Sequence, residues 1–431
     1  MISTMRIKLT IPQDWMAALS LGLFLCSPML RSGFRILFQN EQIVDALNIT
    51  VLYIPVLLLV FGNPRRYIKL DFIILFCAIL FFIGATYLFH PEYEYVFSRE
   101  TYGVWDYTLK PYEALYGYLF FRFVSDPQQM LKILRASGYM MFPYFLHALI
   151  SAKRRGYWPG VSGIHSGVKF TYSISYGYEV LFFSLVFFYC ALQYKRKTDI
   201  AAFLLTVFLI FSGGSRGPVL FIGVFFILYL IIELRNSKRK VQIITLTTIL
   251  FTSVYALYEQ ILRGVSNLIA KFGFSSRFID KLLADDITND SGRDKIWGAA
   301  ISMIKEKPLG YGAMGSRHGL YRIIDAGYPH NLFLELLIDY GVFFGTLLII
   351  LIIYKSYAMM FTKKYQPWKG LFLCMFCATG PLMISMSYWG HLSFWACIAI
   401  CVNADIDRKK NKGVSVSKWK KQLKPAILRS S

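Results

Sequence analysis

The sequence is short of charge, of acid in particular, and of paired cysteine. Charged residues make up 17% of its 431 positions, fewer than a soluble domain of this length carries. What charge there is falls in short clusters between long uncharged stretches. Seven cysteines (26, 77, 190, 374, 377, 397 and 401) all lie within apolar runs. A thiol there serves as a small hydrophobe, so no disulfide framework is expected. Cys374 and Cys377 have C-x-x-C spacing, but no second pair or histidine cluster accompanies them, and a metal or redox role is not expected. Nor is there an external group of carboxylates with metal-ligand spacing. No small-x-small cleavage site follows the first apolar run, 15–30, and Arg31-Ser-Gly-Phe-Arg35 is a poor context for processing, so that run reads as a retained helix. No internal repeat is visible.

What is there is apolar. Hydrophobic residues reach 56%, aromatics 17%, and the mean hydropathy is positive. The runs are as long as a bilayer demands, since a helix needs ~20 apolar residues to cross the hydrocarbon. The expected fold is therefore all-α, a polytopic membrane protein of about twelve transmembrane helices. They are expected at 15–31, 43–62, 70–89, 111–124, 138–152, 176–194, 199–212, 217–234, 241–258, 331–354, 370–389 and 391–403. The net charge of +22 is distributed as positive-inside loops and not as a nucleic-acid patch. Pro64-Arg-Arg66 with Lys69, Lys195-Arg-Lys197, 235–240, 355–369 and the tail from Arg408 fall on one side, read as cytoplasmic with both termini. The opposite side receives 90–110, with Glu92, Glu94, Glu100 and Asp106.

The chain divides into helices over 1–258, a long outer loop over 259–330, helices over 331–403, and a basic tail over 404–431, expected to be disordered and to lie on anionic phospholipid. Two outer segments stand out. The first, 153–175, opens Lys153-Arg154-Arg155 against the positive-inside rule, so those charges need an outside partner. The second, 259–330, is too long for a plain connection. It shows helical patterning at 259–285 and 293–307, then Gly310-Tyr-Gly312-Ala-Met-Gly315.

Three groups of residues could carry chemistry. Arg216 sits in Phe211-Ser-Gly-Gly-Ser-Arg-Gly-Pro218 between two apolar runs. An arginine beside a helix N-terminus is a ready anion site, and Gly213, Gly214 and Gly217 permit a tight turn that exposes backbone N–H groups. The competing reading is an arginine snorkelling to the interface, for which the glycines would be unnecessary. Arg293 opens an amphipathic helix, where a guanidinium suits a diphosphate; a surface salt bridge with Asp290 or Asp294 is the plainer alternative. His330 stands where the long loop meets an apolar helix. It can take a proton near neutral pH, or it can be a locally bonded helix-start histidine. Asn331 beside it could hold a sugar hydroxyl or a phosphate oxygen. Glu335 and Asp339, four apart, share one face of that helix, and carboxylates at membrane depth usually face a bundle interior. Glu113 and Arg122 could pair with one another. Asp405-Ile-Asp407 has the spacing of metal-dependent sugar-nucleotide transferases but follows the last helix on the inner side.

Taken together, Ser215-Arg216-Gly217, Arg293-x-x-x-Trp297, Pro308-Leu-Gly-Tyr-Gly312 and His330-Asn331 followed by Leu334-Glu-Leu and Gly341 resemble the O-antigen polymerase and O-antigen ligase superfamily of bacterial envelopes. The match runs over about 212–345. The resemblance implies a GT-C-like glycosyltransferase of the inner membrane that needs no metal or other cofactor. Its active site would be periplasmic and its donor a glycan on undecaprenyl diphosphate. The acceptor would be a second lipid-linked repeat unit for a polymerase, the favoured reading, or lipid A–core for a ligase. A chain-length regulator is a further candidate partner, and nucleic acid is not one. His330 would be the catalytic base, Arg216 and Arg293 with Arg154 and Arg155 the diphosphate ligands, and Ser215, Gly217, Asn331 and Glu335 their support. The rival class, a lipid-linked oligosaccharide flippase, would be expected to show inverted repeats and helices broken in the membrane; the sequence shows neither.

Overall fold

The computed structural model describes residues 13–99, 102–159, 169–170, 172–273, 276–284, 292–324 and 327–427. Its principal helices are α1 (Gln13–Leu25), α2 (Ser27–Leu37), α3 (Glu41–Gly62), α4 (Leu70–Phe89), α5 (Ala114–Phe123), α6 (Pro127–Arg155), α7 (Ile174–Tyr194), α8 (Lys197–Gly213), α9 (Arg216–Asn236), α10 (Lys240–Ala256), α11 (Tyr258–Lys271), α12 (Arg277–Leu283), α13 (Arg293–Glu306), α14 (Gly315–Ile324), α15 (Leu332–Phe361), α16 (Lys369–Ala378) and α17 (Leu392–Ile427). The fold is all-α apart from a two-residue antiparallel pairing of Trp158–Pro159 with Lys169–Phe170.

Each expected helix has a counterpart, and the ends follow local chemistry. Asn40 caps α3 by accepting from the amides of Gln42 and Ile43, and Asp126 with Pro127 starts α6 well ahead of residue 138, as side-chain caps and an N1 proline do. Among the described residues, α3, α4, α7, α9 and α15 are long and apolar enough to cross a membrane. Helices α1 and α2, bent by 65° at Cys26, make a sixth candidate if they form one span. The other expected crossings are shorter or more polar by that measure.

Three expectations need correction. The helix expected over 370–389 stops at Ala378, and short 3-10 turns at Gly380–Met383 and Tyr388–Gly390 follow; Gly380 and Pro381 interrupt the ladder, since proline has no N–H to give. The tail is not unstructured, because α17 runs on to Ile427. And a broken helix does exist. Within α15, Gly341 takes φ 77°, ψ 169°, a region open to glycine at little cost. The break frees the carbonyls of Ile338 and Asp339, and the loop supplies the missing donors: Tyr311 N–H to Ile338 O (2.8 Å) and Gly312 N–H to Asp339 O (3.0 Å), while Val342 N–H donates to Pro308 O (2.8 Å). Gly310, at φ 96°, lies so close to the Gly341 backbone that neither position has room for a Cβ. The Pro308–Gly312 motif is thus a backbone splint set into α15.

That break divides α15 by environment. Before it, Glu335, Leu336, Ile338 and Asp339 are buried; after it, Val342, Phe343, Phe344, Leu347, Ile350 and Leu351 are exposed. Residues 342–361 alone give about 30 Å of helix, enough for the hydrocarbon. Glu335 and Asp339 therefore sit in the protein-packed part of α15, on the face that carries 90–99, 102–110, α13 and α14. That side is called the loop face below.

Candidate functional site

The site assembles on the loop face from four segments of the chain: the α8–α9 turn, the start of α13, the approach to α15, and the 384–391 segment. Gly214, at φ 73°, ends α8. Ser215 is the buried N-cap of α9, and Arg216 is its first residue, half-buried, with Pro218 in the first turn. A Cβ on Gly217 would collide with the Tyr178 ring and hydroxyl, so that glycine lets α9 close on α7. Tyr178 in turn shares a 2.6 Å hydrogen bond with the Ser385 hydroxyl.

Ser385 joins this side to His330. Its carbonyl accepts from the Tyr328 hydroxyl at 2.9 Å, and the Tyr328 ring lies 4.4 Å from the imidazole. His330 takes a left-handed φ of 53°, and the buried Pro329 beside it is fixed by the Trp297 indole N–H, which donates to its carbonyl at 3.1 Å. This explains the Arg293-x-x-x-Trp297 spacing: one turn separates the tryptophan that anchors 329 from the arginine that opens α13. Arg293, half-buried after the left-handed Gly292, is near enough to act electrostatically on both His330 and Tyr178. Burial lowers the His330 pKa from its ordinary value and Arg293 lowers it further, against an opposing contribution from the Ser385 backbone.

The remaining expected residues separate. The Asn331 side-chain oxygen is committed to capping α15, accepting from Phe333 N–H (3.0 Å) and Leu334 N–H (3.2 Å), which leaves only its amide nitrogen for a ligand. Glu335 is fully buried and accepts from the Ser387 hydroxyl at 2.6 Å. Arg154 and Arg155 are exposed at the end of α6, beyond which Gly156 turns left-handed. Arg154 lines an open groove of about 450 Å³ with Ile150, Lys153 and Phe272, where Lys153 donates to the Phe272 carbonyl. Among the described residues no contact brings them to His330. The expected Glu113–Arg122 pair does not form: Arg122 turns to Asp71 (2.6 Å) and Asn403 instead.

One charged residue escaped the sequence reading. Arg317 is buried, donates to the Tyr102 carbonyl (2.7 Å) and more weakly to Ser387 Oγ (3.4 Å), and lies over the rings of Tyr107 and Tyr328. Burial works against its charge, but Tyr107 and Glu335 outweigh that and raise its pKa. Its signal was available, because Gly315-Ser-Arg317 follows a glycine-rich stretch much as Ser215-Arg216-Gly217 does. The Ser385–Ser387 segment carried no such signal, being masked by an apolar run.

Among the described residues no group of three or more His, Cys, Asp or Glu could hold a metal ion. What the arrangement offers is two arginines at helix starts, a histidine with a depressed pKa, and two tyrosine hydroxyls on one serine, Tyr328 on its carbonyl and Tyr178 on its hydroxyl. It is a polar cluster on a scaffold of helices long and apolar enough to cross a membrane. Residues 201–350 match the family model described as O-Antigen ligase, and this segment belongs to the O-antigen polymerase and ligase superfamily. The matched stretch includes Arg216, Arg293, Arg317, His330 and Gly341, and excludes Tyr178 and Ser385. No curated protein and no solved structure matches the chain.

Proposed function

We propose that the protein is an O-antigen polymerase of the bacterial inner membrane, joining undecaprenyl-diphosphate-linked repeat units at its periplasmic face. Arg216 and Arg293 neutralise the diphosphate leaving group, each charge-assisted bond contributing roughly 1.5–3 kcal/mol, so a metal is not needed for that task. His330 removes the proton of the acceptor hydroxyl as it attacks the anomeric carbon, giving inversion by single displacement. Arg154 and Arg155 take a second role, holding lipid phosphate at the rim of the 150–154 groove, and the basic tail meets anionic phospholipid on the cytoplasmic side. The observations that support this reading are that Arg293 is near enough to His330 to act on it electrostatically, and that Tyr328, stacked near His330, bonds Ser385, which bonds the Tyr178 against which the turn bearing Arg216 packs.

A ligase is the second reading, favoured by the description of the matched family model; its acceptor would be lipid A–core. Deleting the gene and resolving the surface polysaccharide by electrophoresis separates the two. Loss of the ladder with one capped repeat remaining supports the polymerase. Loss of every repeat from the core supports the ligase, and an unchanged profile overturns both.

A further inference from the structure

Helix α11 belongs to the long outer segment and carries none of the site residues. Its sequence separates into two stripes. Glu259, Arg263, Asn267 and Lys271 recur every four positions and are exposed. Tyr258, Ile261, Val265, Leu268 and the capping Phe272 recur every three or four, the spacing of one helix face. That apolar face is only partly packed. Ile269 beside it is fully buried, whereas Ile261, Leu268 and Phe272 keep 44%, 48% and 55% exposure. One flank of α11 therefore presents hydrocarbon outward, while the stripe of Glu259, Arg263, Asn267 and Lys271 presents charge and amide.

The level at which α11 sits follows from its neighbours. Phe272 packs edge-on against Phe208 of α8, ring centroids 5.5 Å apart, and its carbonyl accepts from Lys153 in the last turn of α6. The end of α8 is the loop-face turn itself, where the Ser173 amide donates to the Gly213 carbonyl at 3.1 Å. From that turn α9 runs 21 residues to Asn236, a rise of about 32 Å. The 17 residues of α10 and the 14 of α11 make the return with about 46 Å of helix. That is well over what the return needs, so one of the two lies flat. α10 has no charged residue from Val241 to Ala256, whereas α11 carries Glu259, Arg263 and Lys271, so α11 is the one that hydrocarbon would not admit. The chain turns between them at Leu257, with φ −111° and ψ 11°. We propose that α11 is an interfacial helix lying along the loop-face leaflet of the bilayer. Ile261, Leu268 and Phe272 then sit at the margin of the hydrocarbon, and the polar stripe faces headgroups and water. A lipid leaflet is the partner that fits, because the exposed apolar surface of α11 continues that of α10, at Val241, Ile244, Leu246, Ile249 and Tyr255. An amphipathic helix with aromatic residues at its ends takes this position in a membrane. The inference is independent of the enzymatic reading, and it moves 258–272 from the outer loop into the membrane surface.

Depth-resolved quenching tests this in the full-length protein, held in nanodiscs of phosphatidylcholine and phosphatidylglycerol. An acridone-bearing amino acid is placed singly at Leu268 or at Arg263, where it is excited apart from the native tryptophans. At Leu268, lipid carrying a nitroxide near the headgroup should quench several-fold more than aqueous iodide does, and more than lipid carrying the nitroxide near the chain end. At Arg263 iodide should quench several-fold more than either lipid. Iodide dominating at both positions would put the apolar flank in water and overturn the proposal. Protection of Leu268 from every quencher would mean that protein covers the flank, a second copy of the chain included, and would overturn it too. Stronger quenching from the chain end would make α11 a buried or crossing helix, with the same consequence. Because the label could disturb its own site, Ile261 labelled in the same way must reproduce the Leu268 pattern, and the proposal falls if it gives the Arg263 pattern instead.

Discussion

Charge withdrawn from full solvent exposure is treated differently on the two faces of the molecule. On the face opposite the loops, Arg122 is matched by Asp71 and Asn403, Arg135 by Asp199, and Lys355 by Asp405, which also accepts from Tyr365 at 2.6 Å. These contacts tie helices distant in sequence, as Asn403 does in donating to the carbonyls of Phe121 and Val124. On the loop face the charges are left partly unanswered. Among the described residues, fifteen buried polar side-chain atoms lack a partner, and eight belong to Ser316, Arg317, His318, His330, Glu335, Asp339, Trp389 and His391. A buried polar atom without a partner is costly, and a cluster of them marks space that water or a polar ligand fills. The opposite face has fewer such atoms, among them Asp199 Oδ2, the Tyr67 hydroxyl and Arg408 Nε, and the denser cluster on the loop face is what the proposed site there predicts.

Substitutions on each face should break that contrast in different ways. The largest effect is expected for His330→Ala, where turnover falls by roughly 10²–10⁴-fold, the usual contribution of a positioned base, while the melting temperature of the purified protein barely moves. Arg122→Ala should do the opposite. It strands Asp71 and Asn403 and costs about 3 kcal/mol of stability, read as a lower melting temperature, with turnover per folded molecule retained. Gly341→Ala falls between the two classes: a Cβ there meets the Leu309 carbonyl and the left-handed φ adds strain, together about 1–3 kcal/mol. Because the splint positions the start of α15, turnover should fall along with stability. The smallest effect is in pH. The His330 pKa is depressed by burial first and by Arg293 second, so the neutral base persists below the ordinary 6.5 of histidine. The acidic limb of kcat/KM should then lie below pH 6.5, and a limb above it would mean that another group titrates.

The sequence made some of this legible. Runs such as 70–89 coincide with α4 because every residue between the flanking charges is compatible with lipid, and the Arg216, Arg293 and His330 motifs announced themselves by glycine, proline and helix-start placement. What stayed hidden depends on tertiary pairing. No local signal distinguishes the Glu113 that Arg122 does not meet from the Asp71 that it does. The break at Gly341 looked like one glycine in an apolar run until Pro308–Gly312 was seen to supply its hydrogen bonds. The 384–391 segment has the composition of a helix end, and only its contacts with Tyr178, Tyr328 and Glu335 show what its serines do.

In the proposed mechanism Arg216 and Arg293 hold one diphosphate beside His330. The most direct test is the affinity of the purified protein for the undecaprenyl-diphosphate-linked donor in three single variants. Arg216→Ala and Arg293→Ala should each weaken binding by roughly 10- to 100-fold, the loss of a charge-assisted contact, and His330→Ala should leave it unchanged. Donor binding that is indifferent to both arginines, or that depends on His330 as strongly as on either, would contradict the account.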